Sequence, residues 1–427
     1  MTFSRRFFAK ASLAALGASA LPLSAPRAAT ASTTRNLIVL LVPGGWDTSY
    51  VLDPKPGSAA VDTPTDGDVT LYGDLPIFTS PQRPSVAAFF ERYGAGTAVV
   101  NGILVQSLNH PECSKRLLTG TQSDANPDVG AIVAYELGRD QPAPYLVLGP
   151  TAYSGPLASI ATRVGTVTQI RSLLSDQAVL PKDAAYDLAP RFVPSGGEGA
   201  IIRDYVEARA RRYEAVVGQH GYNGARLEDF LDSVARSESL REFKAGFGES
   251  LDFSLLLAQQ IALGLDAIQA GLAHSLHLEQ TFASWDTHQG NDRQSDLNEA
   301  LYADLTLLCD ELTTRPGRAS GKTMWDETVV AVVSEMGRTP KLNGQGGKDH
   351  WPVTSAMLLG GGVAGGRVYG ATDDALQAAH VDLHAGTADP SGGPLLYSSF
   401  CAGLLAAVGV GPEAHYPGVE VFDAFMA

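Results

Sequence analysis

The feature that most constrains the fold is the run Asn36-Leu37-Ile38-Val39-Leu40-Leu41-Val42, apolar from its second residue and stopped by Pro43-Gly44-Gly45. A strand with one wet face alternates apolar and polar residues. A run without alternation reads as a strand buried on both faces, as in parallel sheets covered by helices. Thr97 to Ile103, Pro144 to Leu148, Thr328 to Val333 and Val353 to Leu359 read the same way. Helical patterns fall between them at Pro84 to Tyr93, near Pro111 to Leu118, at 200–217, 225–246 and 253–275, at Gln294 to Thr313 and near Leu395 to Val408. Buried strands separated by helices predict a doubly wound, mostly parallel α/β sheet with helices on both faces, and 200–280 reads as a helical insertion or cap. Residues 53–85, rich in Pro, Gly, Asp and Thr, read as one long excursion from the sheet.

Ahead of the first strand, Ser4-Arg5-Arg6-Phe7-Phe8-Ala9-Lys10 is a twin-arginine core, followed by the apolar stretch Ala11 to Leu23 and the small-residue pattern Ala29-Thr30-Ala31. Residues 1–31 therefore read as a cleaved export signal whose partner is the twin-arginine translocase, and the expected location is periplasmic or secreted. The apolar stretch is shorter than the ~20 residues that span a bilayer, and no later run reaches that length, so no stable membrane span is expected. Losing the signal's four basic residues, Arg5, Arg6, Lys10 and Arg27, takes the formal charge from −15 to −19. Such a surface disfavours nucleic acid, whose binding rests on clustered Lys and Arg. Three cysteines, Cys113, Cys309 and Cys401, are too few and scattered for a disulfide framework or a thiolate metal site, and Cys309 and Cys401 sit in apolar helical contexts that predict burial.

Ligands of doubly wound sheets sit at the carboxyl ends of the strands. Asp47 follows the first strand, His110 the second, and Glu335 comes directly after Thr328 to Val333. Asp286 and His288 lie in Ser284-Trp285-Asp286-Thr287-His288, and Asp349-His350 closes a glycine-rich loop. Taken singly, each has a bland reading: a helix N-cap, a solvated loop, or, for Glu335, a pair with Arg338. Together they place carboxylates and imidazoles at one sheet edge, a donor set suited to a divalent metal such as Zn, Mn or Fe.

These motifs resemble a known family. Gly44-Gly45-Trp46-Asp47, the His110 segment running to Thr119-Gly120, Trp285-Asp286-Thr287-His288, Ser334-Glu335-Met336-Gly337-Arg338-Thr339, and Asp349-His350 ahead of the glycine-rich stretch Gly360 to Gly370 are similar, in order, to the bacterial family called domain of unknown function 1501. That family resembles a branch of the alkaline phosphatase and sulfatase superfamily. The resemblance implies two metal subsites, one of Asp47 with Glu335, the other of Asp286, His288 and His350 with Asp349 as a further ligand. Met336 stands where relatives carry a His, and His110 where they carry a Ser, Thr or modified Cys nucleophile.

The function this implies is exported, metal-dependent hydrolysis of phosphate or sulfate esters by attack of an activated water, on a small anionic ester or glycan. His110 serves as ligand or general acid, Thr48 as a remote nucleophile, and Lys348 with Arg338 as the anion clamp. The alternative is a non-catalytic metal-binding protein on the same scaffold. Export argues against a sugar-phosphate mutase, since it removes the chain from phosphorylated metabolites.

Overall fold

The computed structural model of the chain describes residues 34–163, 196–217, 221–242, 256–281 and 283–427. The export-signal reading of residues 1–31, and the junction of the helical patterns at 243–255, lie outside them.

Twelve strands and eight helices carry the argument: β1 (Asn36–Leu41), β2 (Asp68–Tyr72), β3 (Leu75–Thr79), α1 (Pro84–Tyr93), β4 (Thr97–Leu104), α2 (His110–Thr119), α3 (Val129–Gly138), β5 (Tyr145–Val147), β6 (Ala161–Arg163), α4 (Gly196–Val217), α5 (Gly221–Glu242), α6 (Leu257–Gln269), β7 (Ser275–Glu279), α7 (Arg293–Thr314), β8 (Thr328–Val333), β9 (Gly337–Arg338), β10 (His350–Trp351), β11 (Val353–Gly360), β12 (Arg367–Gly370) and α8 (Tyr397–Val408). Eight strands form one sheet in the order β12-β4-β11-β8-β1-β7-β5-β6. Every pairing in it is parallel except the two made by β11, which runs against both β4 and β8. The sheet is thus doubly wound and mostly parallel, with helices on both faces.

The absence of alternation in β1 has its physical cause in this position. Ile38 and Leu40 pack into the core shared with α1, α6 and α7, while Leu37, Val39 and Leu41 pack into the core shared with α2, α3 and α8. All six residues of β1 are buried, and each fully buried Leu, Ile or Val side chain is worth roughly 1.5–3 kcal/mol relative to exposure.

Several elements depart from the sequence reading, the sheet strands β6 and β12 among them. Strand β7, which the sequence reading left without structure at the end of its helical block, pairs with both β1 and β5. Helix α3, begun by Asp128, whose side chain accepts from the Ala131 N–H, was not expected. The excursion contains the β2–β3 hairpin and is tied to α7, where Arg83 reaches Ser295 and the Ser85 hydroxyl donates to Glu299. The 200–280 block divides in the same way. Helices α4 and α5 pair with each other, α5 is held to the segment before β6 by Arg236 donating to the Ser159 carbonyl, and α6 lies on the sheet. No helix among the described residues is long and apolar enough to cross a membrane. Cys113, Cys309 and Cys401 are free and buried.

His274, just ahead of β7, is a second consequence of this packing. Burial, aided by the nearby Arg318 charge, pushes its imidazole down to about 4. The unfolded chain takes up this proton near pH 6.5 and the folded chain does not, so the associated stability is complete above pH 6.5 and lost as pH falls towards 4. Denaturant unfolding should show His274→Leu flattening this acid limb by about 3 kcal/mol, and an unchanged limb would remove His274 from the acid response.

Candidate metal centre

The carboxyl edge of the sheet is shaped first by glycine. Gly44 and Gly45, the turn that ends β1, have φ of 111° and 85°. A Cβ on Gly44 would lie 2.7 Å from the Asp286 backbone nitrogen, and one on Gly45 2.8 Å from Met336 Cγ. Only residues without a side chain let the β1 turn and the Asp286 loop pass this closely. The Asp286 loop is anchored by Trp285, fully buried, whose indole N–H donates to Gln280 Oε1 at 2.8 Å, and by Gln294 of α7, whose amide donates to the Trp285 carbonyl and to Thr287 Oγ1. The β9–β10 pair sets Arg338 opposite His350 and so joins the two C-terminal motifs.

On this frame three imidazoles converge on one carboxylate. His350 Nε2 and His288 Nε2 each lie 3.2 Å from Asp286 Oδ1 and 3.0 Å from each other, and His110 Nε2 lies 3.4 Å from Asp286 Oδ2. His110, Asp286 and His350 offer ligand atoms all within 4.8 Å of one another. Each ring is oriented from behind through Nδ1: His110 by Glu335 Oε1 at 2.8 Å, His288 by Asp349 Oδ1 at 2.8 Å, and His350 by the Leu108 carbonyl at 2.7 Å. Those partners are acceptors, so each Nδ1 carries the hydrogen and each ring turns its Nε2 inward. Such outer partners are the usual device for fixing a metal-binding imidazole. Three lone pairs and a carboxylate at these distances repel unless a proton or a cation lies among them, and His110 Nε2 is buried with no hydrogen-bond partner. The group whose ligand atoms all lie together, two imidazole nitrogens and one carboxylate from His110, His350 and Asp286, suits a zinc-type ion with an open position, and His288 Nε2 lies beside it.

The electrostatics follow the same geometry. The hydrogen bond to Glu335 holds the His110 imidazole above its ordinary range. Burial alone would raise Asp286, but the Arg338 hydrogen bond and charge, with His110 and His350, bring it below the usual carboxylate range. The His288 hydrogen bond lowers Asp349 likewise.

Several expected roles are corrected. Asp47 is not brought into the cluster. Ser49 donates to its Oδ1 through both N–H and O–H, Asn291 donates to Oδ2 at 2.8 Å, and Lys348 Nζ sits 2.7 Å from Oδ2. Lys348 and Arg338 do not form an anion clamp, since both side chains are fully buried and spent on internal partners. Arg338 donates to the carbonyls of Gly44, Gly45 and Lys348 and to Asp286 Oδ1. Glu335 and Asp349 orient imidazoles from behind, and Thr48 is buried in a 3-10 turn away from the cleft. Met336 points into the core rather than the site, so no histidine-like ligand stands there.

The cluster opens on a cleft of about 480 Å³ lined by His110, Asp286, Glu335, Ser114, Thr151 and Tyr153, among others. Thr151 and Tyr153 were missed in the sequence, although Leu148-Gly149-Pro150-Thr151 follows the carboxyl end of β5, where the strand-end rule would have found them. Thr151 donates its hydroxyl and N–H to Glu279 at the end of β7.

Residues 248–390, about a third of the chain, match the family described as "Protein of unknown function (DUF1501)". No curated protein matches the sequence. Among solved structures, the lipoteichoic acid synthase LtaP from Listeria monocytogenes is similar at 10% identity and a TM-score of 0.40, over 92% of this chain and 75% of that one. Ps i-CgsB in complex with k-i-k-neocarrahexaose is similar at 11% identity and 0.39, over 91% and 75%. The phosphonate monoester hydrolase SpPMH from Silicibacter pomeroyi is similar at 11% identity and 0.31, over 88% and 73%.

Proposed function

We propose that this chain is an exported hydrolase of phosphate or sulfate esters that works with a divalent metal, Zn before Mn or Fe, held by His110, His288, His350 and Asp286. The observation that carries the reading is the convergence of three Nδ1-anchored imidazoles on one carboxylate beside an open cleft. When bound, the metal supplies a Lewis acid that polarises the ester and brings the pKa of water towards ~7. The protein supplies the rest. Glu335, Asp349 and the Leu108 carbonyl keep the three rings in one tautomer, and Arg338 fixes the Asp286 carboxylate through Oδ1. The walls at Ser114, Thr151 and Tyr153 take the alcohol part of the ester. The first residue of α2 is His110 rather than a hydroxyl or thiol residue, and attack by water suits that arrangement. The motif resemblance and the family match support the same reading.

The burial of Met336 favours one metal over two, and it also supports the alternative, a metal-binding protein without turnover on this scaffold. Elemental analysis of the purified protein, run with aryl phosphate, phosphodiester and aryl sulfate substrates, separates the two. About one zinc per chain with turnover is the expected result. One zinc without turnover would establish the non-catalytic protein, and loss of neither metal nor turnover in His288→Ala would place the chemistry elsewhere.

A further inference from the structure

We propose that the open face of the α4–α5 helix pair is a self-association surface, on which a second copy of this chain packs its own helix pair to form a dimer.

The two helices, 22 residues each, lie against each other. Helix α5 is also tied to the body of the domain, where Arg236 and Ser233 donate to the Ser159 carbonyl and Arg226 to that of Pro156. Of the described side chains of α4, by contrast, Ala210 alone is buried. A helix in a protein owes most of its stability to the packing of its apolar face, and here that face is open. Tyr205, Arg209, Arg212, Tyr213 and Val216, spaced three and four residues apart and so on one side of α4, line a groove of about 810 Å³ between the helices. Exposed apolar side chains are concentrated at this place. Of the thirteen large ones among the described residues, seven stand on these two helices, with Tyr205 and Tyr213 each 57% exposed and Val216 81%. A gathered apolar patch, unlike scattered single residues, marks an interaction surface.

Charge and size select the occupant. Arg209 and Arg212 face the groove with no carboxylate partner among the described residues, and Arg212 Nε donates to the Ala208 carbonyl of its own helix. Asp204, exposed on the same helix, has no basic partner among them either. One helix thus carries unpaired charges of both signs, and a second copy related by a twofold axis offers each its opposite. An anionic bilayer does not, since it draws faces with a basic excess, whereas α4 sets four Arg against four Asp or Glu in a chain of net charge −15. A glycan gains nothing from aliphatic Ile201 and Val216. Two helices ~33 Å long and ~10 Å wide present roughly 700 Å² side by side, close to the ~800 Å² that each partner buries in a stable interface.

Sedimentation equilibrium of the full chain tests this. The expected mass is 89.6 kDa, twice the 44.8 kDa of one chain. Tyr213→Gln combined with Val216→Gln should raise the dimer dissociation constant by about thirtyfold or more, and Arg212→Glu should raise it in the same direction. All three side chains are exposed in the single chain and Gln and Glu are good helix formers, so far-UV circular dichroism should be unchanged. Leu71→Gln, on β2 and 69% exposed, is the control that leaves the dimer as it was. A mass of one chain at about 100 µM would overturn the proposal, and so would a dimer indifferent to both groove variants. A monomer that instead floats with phosphatidylglycerol vesicles would overturn it and give the face to a membrane. If the double variant loses its helix signal, Arg212→Glu and the mass of the unaltered chain decide.

Discussion

Lys348→Ala is expected to destabilise the fold by roughly 3–5 kcal/mol, because it strands the Asp47 carboxylate, fully buried, without its counter-charge. Asp47 keeps its hydrogen bonds from Ser49 and Asn291, which soften the loss but do not neutralise the charge. Removing both charges should recover most of it, since an apolar or neutral pair of similar volume at a buried site is often no worse than the ion pair. The measurement is a denaturant-unfolding series on Lys348→Ala, Asp47→Asn and the combination Asp47→Asn with Lys348→Met. Zinc affinity is the second readout. It should change little, because Arg338 is bonded to the backbone carbonyl of Lys348 and not to its side chain. A small stability loss with a large loss of anion binding would restore the clamp and reject the buried-pair account.

His350→Ala should lower zinc affinity beyond the ~10–100-fold that loss of an outer partner costs, since it removes an inward-facing Nε2 itself. His350 is partly exposed at its own strand, so the fold should lose little, and competition against a chromophoric chelator reads the affinity without any substrate. An affinity unchanged to within about threefold would be incompatible with a site built on His110, His288, His350 and Asp286.

What the sequence made legible follows the physics of each element. Strands β1 and β8 are apolar from their second residue on because helices cover both faces, so their runs were visible without knowledge of partners. Strand β7 is just as buried, but it reads Ser275-Leu276-His277-Leu278-Glu279, and its polar residues, all buried, hid a central strand behind a pattern of surface type. The β2–β3 hairpin carried a usable sign in Gly73-Asp74 between two short β-prone segments, with Gly73 at φ 66°. At the site, the identities of His110, Asp286, His288 and His350 were accessible from strand-end position and motif. The division between inner and outer groups was not, because it depends on which ring nitrogen faces inward. Lys348 and Arg338 were misplaced for a related reason: a basic residue beside acidic and histidine motifs looks like an anion clamp until its burial is known.

The four inward groups stand on segments that are far apart along the chain, His110 after β4, Asp286 and His288 after β7, and His350 ahead of β11. His350 is set locally by the β9–β10 pair, but the strands that carry His110 and the Asp286 loop pair with partners more than a hundred residues away, β4 with β11 and β7 with β1. Topologies of this kind fold slowly, since long loops must close before the contacts that reward closure exist. During synthesis the last imidazole emerges only after some 350 residues, so the cluster is assembled late. On the metal reading proposed above, metal uptake would report on completed folding, and chains truncated before β10 should emerge without it.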